Sequence, residues 1–191
     1  MGILLANIAA FALPGAAYFS PLAWGGHGPE QIAVWLTNFV FVEGKMRGLF
    51  SFLFGASMLL VIERAQASGE SPARVHFSRM SVLFLFGLLH GYLIWWGDIL
   101  AHYALVGAIA FLFVRLRAEQ LFAAALTALV LSLAWAGGGL FGMIESASRD
   151  TPEAVATWTD FAKGFGIPPR EWLASEIAAM QGPWLEQMGW R

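Results

Sequence analysis

Gly87-Leu-Leu-His90-Gly91-Tyr92-Leu-Ile-Trp95-Trp96-Gly97-Asp98-Ile-Leu-Ala-His102-Tyr103-Ala104 sets two histidines and a carboxylate inside a run that is otherwise apolar. A charged side chain at the centre of a bilayer costs about 2.5–3.5 kcal/mol on insertion scales, so such groups have partners and a task. The stretch therefore points both to a class of protein and to a working site.

The surroundings support the class. Hydrophobic residues make up 58% of the 191-residue chain and charged residues 13%, against roughly 25% charged in soluble domains. Mean hydropathy is +0.64. Uncharged runs cover Met1–Pro29, Gly48–Ile62, Met80–Gly97, Ile99–Val114 and Gln120–Ile144. About 20 apolar helical residues cross a bilayer, and four of these runs reach that length when flanking Lys and Arg snorkel. The expected fold is all-α: a polytopic transmembrane helical bundle of about five hydrophobic helices over residues 1–143. A polar extramembrane segment, 144–191, follows with a pair of short amphipathic helices. The lipid bilayer is the expected partner. A net charge of −2 with scattered basic residues excludes a nucleic-acid footprint. Without cysteine there are no disulfides or thiolate ligands, and no metal set is apparent.

Along the chain, Met1–Leu13 before Pro14 gives about 20 Å of helix, too short to cross alone, so either it tucks against its neighbours or, the favoured reading, further sequence lies upstream. Tyr18–Pro29 reads as a loop. Gln31–Val42 reads as a re-entrant or interfacial helix, or an extension of the next one. Helices are expected at about Lys45–Arg64, Ala73–Trp96, Ile99–Leu116 and Ala118–Met143, with a tight turn at Gly97-Asp98. Arg64, Arg74, Arg79, Arg115 and Arg117 share one side; Lys45, Arg47 and Arg149 lie on the other. That bias puts the Gly97-Asp98 turn outside, where Trp95 and Trp96 suit an aromatic belt. Asp150-Thr-Pro152 signals a helix start, followed by Trp158, Phe161 and Phe165 on one face. A second amphipathic helix opens after Pro168-Pro169 and ends near Gly182. Both suit a membrane surface or the outer mouth of the bundle.

Asp98 has two readings. As an N-cap its carboxylate accepts a backbone N–H; as a functional group it shares a helical face with His102 at i, i+4 and fixes the tautomer of that imidazole. His90, six residues before Trp96, is expected about 9 Å deeper. The flanking Gly87 and Gly91 let another helix come close. His90 is then either a packed, hydrogen-bonded histidine or the centre of catalysis or transport. Glu43-Gly-Lys45-Met-Arg47 is either a set of interfacial anchors or a cationic contact for an anionic substrate group or cofactor phosphate. Ser51 and Ser57 are expected to bond back to their helix. Gly137–Gly142 matches GxGxxG, but without a βαβ unit it reads as close helix packing or a kink. His27 and His76 have no second ligand at metal spacing and read as ordinary surface residues.

Three stretches together resemble the YeiB-like bacterial membrane-protein family, domain of unknown function 418. They are Gly2-Ile-Leu-Leu-Ala-Asn7-Ile, Glu43-Gly-Lys-Met-Arg-Gly-Leu-Phe-Ser-Phe-Leu-Phe-Gly55, and Arg79 through His90 to Trp96-Gly-Asp98-Ile-Leu-Ala-His-Tyr103-Ala104. The resemblance implies a multi-pass protein of a bacterial inner membrane, with this chain truncated at both ends. The family is in turn distantly similar to transmembrane acyltransferases that move acyl groups onto sugars. That likeness implies a catalytic role for His90 with Asp98 as its partner, and an acyl-CoA or other acyl donor; the spacing argument adds His102 to the catalytic candidates. Glu43, Lys45, Arg47 and Tyr103 are the candidate contacts for a small-molecule or glycan substrate or for the donor. The alternative is a transporter with His90, Asp98 and His102 as a proton or substrate relay. A protein whose polar residues only hold helices together is the third possibility.

Overall fold

A computed structural model of the chain describes residues 2–11, 13–25 and 28–190, the side chains of 162 and 190 aside. His27 lies outside the described residues. Among those described, regular structure is entirely helical: α1 (Gly2–Asn7), α2 (Gly15–Phe19), α3 (Pro29–Phe41), α4 (Lys45–Ala67), α5 (Pro72–Leu93), α6 (Leu100–Ala110), α7 (Ala118–Ala147), α8 (Pro152–Phe165), α9 (Arg170–Gln181) and α10 (Trp184–Trp190). Single 3₁₀ turns occupy Ala9–Phe11 and Phe111–Phe113.

Length and composition mark two stretches as able to cross a membrane, Pro29–Ala67 and Ala118–Ala147. The second is the stronger case. At 1.5 Å per residue α7 is about 45 Å long, and none of its residues is buried. Trp135 is 87% exposed, and Phe122, Leu131 and Phe141 are also bare. An apolar rod of that length needs a non-aqueous covering. α6 with its 3₁₀ extension is a shorter apolar helix, Leu100–Phe113. The expected boundary at 143/144 falls inside α7.

The chain divides into two compact units, Met1–Met46 with Phe122–Trp190, and Arg47–Leu121. In the first, the Asn38 amide donates to the Leu5 carbonyl at 3.1 Å, and Trp35 Nε1 to the Tyr18 carbonyl at 3.2 Å. α2, expected as loop from Tyr18 onward, packs on α8 through Phe19 and Phe165, whose ring centres are 4.7 Å apart. The Trp158–Phe161–Phe165 face forms as expected, with ring contacts at 5.5 and 5.3 Å. Glu176, buried on α9, accepts the Gly15 N–H at 2.8 Å. A short α10 follows the Gly182 stop.

In the second unit α4 ends on Gly69, whose φ of +76° suits glycine. The Gly69 and Glu70 N–H groups bond back to Gln66 and Ala65. Ser71 then caps α5, accepting the Arg74 N–H at 3.4 Å, with Pro72 in the first turn. α5 and α6 form the main pairing, and glycines explain it. A Cβ at Gly87 would lie 2.7 Å from the Cα of Ala101, and one at Gly91 would lie 3.3 Å from the Cβ of Asp98. The helix that comes close to the glycine pair is therefore α6.

His76 corrects the surface reading. It is 1% exposed, its Nε2 hydrogen-bonds the Gly107 carbonyl at 3.0 Å, and its ring stacks on Phe111 at 5.1 Å. It staples α5 to the end of α6, where the backbone tightens into 3₁₀. Removing a buried hydrogen-bonding ring costs about 1–3 kcal/mol. His76→Ala should therefore lower the thermal midpoint in detergent; an unchanged midpoint would refute the staple. Gly137, Gly138, Gly139 and Gly142 lie within α7 with nothing within 4 Å of their would-be Cβ atoms. The expected close packing there is not found among the described residues.

Candidate functional site

The site follows from where α5 stops. It ends at Leu93 rather than Trp96. His90 thus sits in its last turn, not two turns inside, and the expectation of a deeper position is corrected. The His90 carbonyl receives the N–H groups of Ile94 and Trp95, both at 2.9 Å. The chain then reverses, and Trp95 lays its ring edge-on to the His90 imidazole at 6.3 Å.

That reversal brings Asp98 back over the end of α5. Asp98 Oδ1 lies 2.9 Å from His90 Nδ1, and Oδ2 accepts the Ala101 N–H at 2.9 Å. One carboxylate oxygen thus accepts a backbone N–H at the start of α6, as the capping reading expects, while the other engages an imidazole. The partner is His90, eight residues back, rather than His102, four ahead. Asp98 precedes α6, so the spacing rule that applies within a helix does not reach it.

The geometry has a chemical consequence. An ionised carboxylate only accepts, so Nδ1 must carry the proton in this bond. The neutral ring is then left with a lone pair on Nε2. The carboxylate is 7% exposed and the imidazole 32%: a buried orienting group under a half-open ring. Fixing the tautomer from behind is what a general base requires. Among the described residues the His90 side chain makes no other hydrogen bond.

The other candidates fall around this pair as follows. His102 is exposed in the first turn of α6 and lines a cavity of about 240 Å³ with Ser51, Phe54, Tyr103 and Val106. The Tyr103 hydroxyl is 2.7 Å from Ser51 Oγ, and its ring meets Phe50 and Phe54 at 4.9 and 5.2 Å. Ser51 donates to the Arg47 carbonyl at 2.9 Å, as expected of a serine bonding back to its helix. Arg47 itself is exposed. Glu43 and Lys45 belong to the other unit. There the Tyr18 hydroxyl bonds the Glu43 carboxylate, and Lys45 Nζ bonds the Val40 carbonyl at the end of α3. Lys45 thus serves as a cationic cap to carbonyls that the helix leaves open. Reading the sequence missed Ser51 as the partner of Tyr103; no spacing signal links residues on separate helices.

Comparison with known proteins finds relatives over part of the chain. It is 40% identical over 115 residues to the uncharacterized protein YeiB of Escherichia coli K12, a match covering 60% of this chain and 28% of that protein. It is 36% identical over 127 residues to the uncharacterized protein YxaH of Bacillus subtilis 168, covering 63% and 31%. An uncharacterized 39.9 kDa protein of Bacillus acidopullulyticus is 38% identical over 81 residues. The chain spans less than a third of the length of these curated relatives. No family model matches, and no solved structure matches significantly. Over the matched segments the chain is YeiB-like.

Proposed function

We propose that this YeiB-like chain is part of a multi-pass membrane protein of the domain of unknown function 418 type, acting as a transmembrane acyltransferase with His90 as general base. The observation that carries the reading is the 2.9 Å contact of His90 Nδ1 with a carboxylate whose second oxygen is held by a backbone N–H. In the proposed step, Nε2 takes the proton of an acceptor hydroxyl or amine. The freed oxygen or nitrogen attacks the carbonyl carbon of an acyl thioester. A new C–O or C–N bond forms and the C–S bond breaks. The proton then passes from Nε2 to the leaving thiolate. Asp98 steadies the imidazolium formed in between. A cavity beside α6 carries Ser51, His102 and Tyr103 on its wall, and apolar walls with a few convergent polar groups suit small ligands.

Labelled acyl transfer to membrane glycans by the protein and its His90→Ala variant tests the reading. Transfer that is equal in both removes the role. Proton-coupled uptake lost in His90→Ala, with no acyl product, would instead favour the transporter.

Membrane integration is separately testable through α7. Arg at a helix centre costs about 2.5–3.5 kcal/mol on insertion. Leu131→Arg, at the middle of α7, should move much of the chain from the carbonate-resistant membrane fraction to the supernatant. Equal retention of Leu131→Arg and the unaltered chain would count against α7 as a span.

A further inference from the structure

A second cavity in the Arg47–Leu121 unit lies between α4 and α5, away from the residues of the His90 pair. It has a volume of about 350 Å³, within the roughly 300–1,000 Å³ usual for small-ligand sites. Its walls are largely apolar: Phe54, Met58 and Val61 from α4, and Val82, Leu83 and Phe86 from α5, with Ser57 and the buried His76 as the neutral polar members. Met80, buried against Phe54 and Gly107, closes the floor. One permanent cation reaches it, Arg79. Arg79 is exposed, and it takes part in none of the ion pairs found among the described residues. Glu63 and Glu70, the acids of the same hairpin, are exposed and form no ion pair with it.

The lining is polarised along the helices. Arg79 lies about 10 Å along α5 from its start at Pro72, toward the same polar turn that Arg64 on α4 and Arg74 on α5 flank. Leu83 and Phe86 continue the wall one and two turns further from that turn. A charged head near the basic end of the α4–α5 hairpin, with a wall running away from it that is apolar except for Ser57, matches one class of molecule. We propose that this groove holds one acyl chain of an anionic phospholipid, with its phosphate on Arg79. Arg suits the role because its planar fork pairs with two phosphate oxygens, while its stem lies along the apolar wall. The lipid would lie in the leaflet facing the α4–α5 turn, the side that the basic residues mark as cytoplasmic.

The test uses the whole chain purified in dodecylmaltoside, with native mass spectrometry as the readout. Dioleoyl-phosphatidylglycerol should be retained about fivefold over dioleoyl-phosphatidylcholine, the preference expected of one Arg at a membrane surface. Arg79→Gln should bring the two lipids level, and Arg149→Gln, in the other unit, should leave the preference intact. Leu83→Trp, which fills the slot, should reduce retention of both lipids. Millimolar inorganic phosphate should not displace the bound lipid. Equal retention of both lipids by the unaltered chain would overturn the proposal, as would a preference that survives Arg79→Gln. Displacement by phosphate alone would mean a free-phosphate site with no acyl slot. If Arg79→Gln loses its helical circular dichroism, the Leu83→Trp and phosphate arms decide.

Discussion

His90→Ala is expected to lower acyl transfer about 10²–10⁴-fold, the usual contribution of a positioned general base. The loss should come without a fall in helix content, because His90 is half-exposed and its one described side-chain hydrogen bond is to Asp98. Asp98→Asn should cost nearly as much activity for a different reason. An amide oxygen can still accept from Ala101, but the ring loses the negative charge that steadies its protonated form. If the two residues act as one unit, the double variant should be scarcely worse than His90→Ala alone. Additive losses would mean that Asp98 only caps α6. A variant lacking the imidazole but retaining full transfer would end the proposal.

Gly87→Leu is the second large effect. The start of α6 sits directly over Gly87, and a Cβ there would lie 2.8 Å from the Ala101 Cβ and closer still to its backbone. Backbone cannot yield as a flexible side chain can, so the two helices must part. Overpacking of this kind costs about 1–3 kcal/mol. The separation also strikes the site, because Ala101 holds Asp98 and Asp98 holds His90. Thermal midpoint and acyl transfer should therefore fall together. Gly137→Leu on α7, where nothing lies within 4 Å, should leave both unchanged. A Gly87→Leu protein that melts like the unaltered one would mean that α5 and α6 do not approach at this point.

The helical register was legible from the residues themselves. Asp150-Thr151-Pro152 carries a start signal, and α8 begins at that proline; α5 begins at Pro72, within a residue of its expected start at Ala73. The glycine pair around His90 also announced a close helix, since only backbone without Cβ allows that approach. What escaped was set by chain reversal rather than by spacing. Counting residues along a single helix paired Asp98 with His102, and only the turn through Trp95 and Gly97 carries the carboxylate back to His90. The same limit applies to Ser51 and Tyr103, on different helices. His76 was misread because a lone imidazole carries no local sign of burial; its partner is a carbonyl 31 residues away. The end of α5 was placed three residues late because Ile94, Trp95 and Trp96 are as apolar as the helix they follow.

The tautomer of His90 is the most direct test of the account. Nitrogen NMR of the chain labelled at histidine, in lipid and at a pH where the ring is neutral, distinguishes a proton on Nδ1 from one on Nε2. The account predicts a protonated Nδ1 and a bare Nε2 for His90, with that preference lost in Asp98→Asn. A proton on Nε2, or a spectrum that Asp98→Asn leaves unchanged, would contradict it.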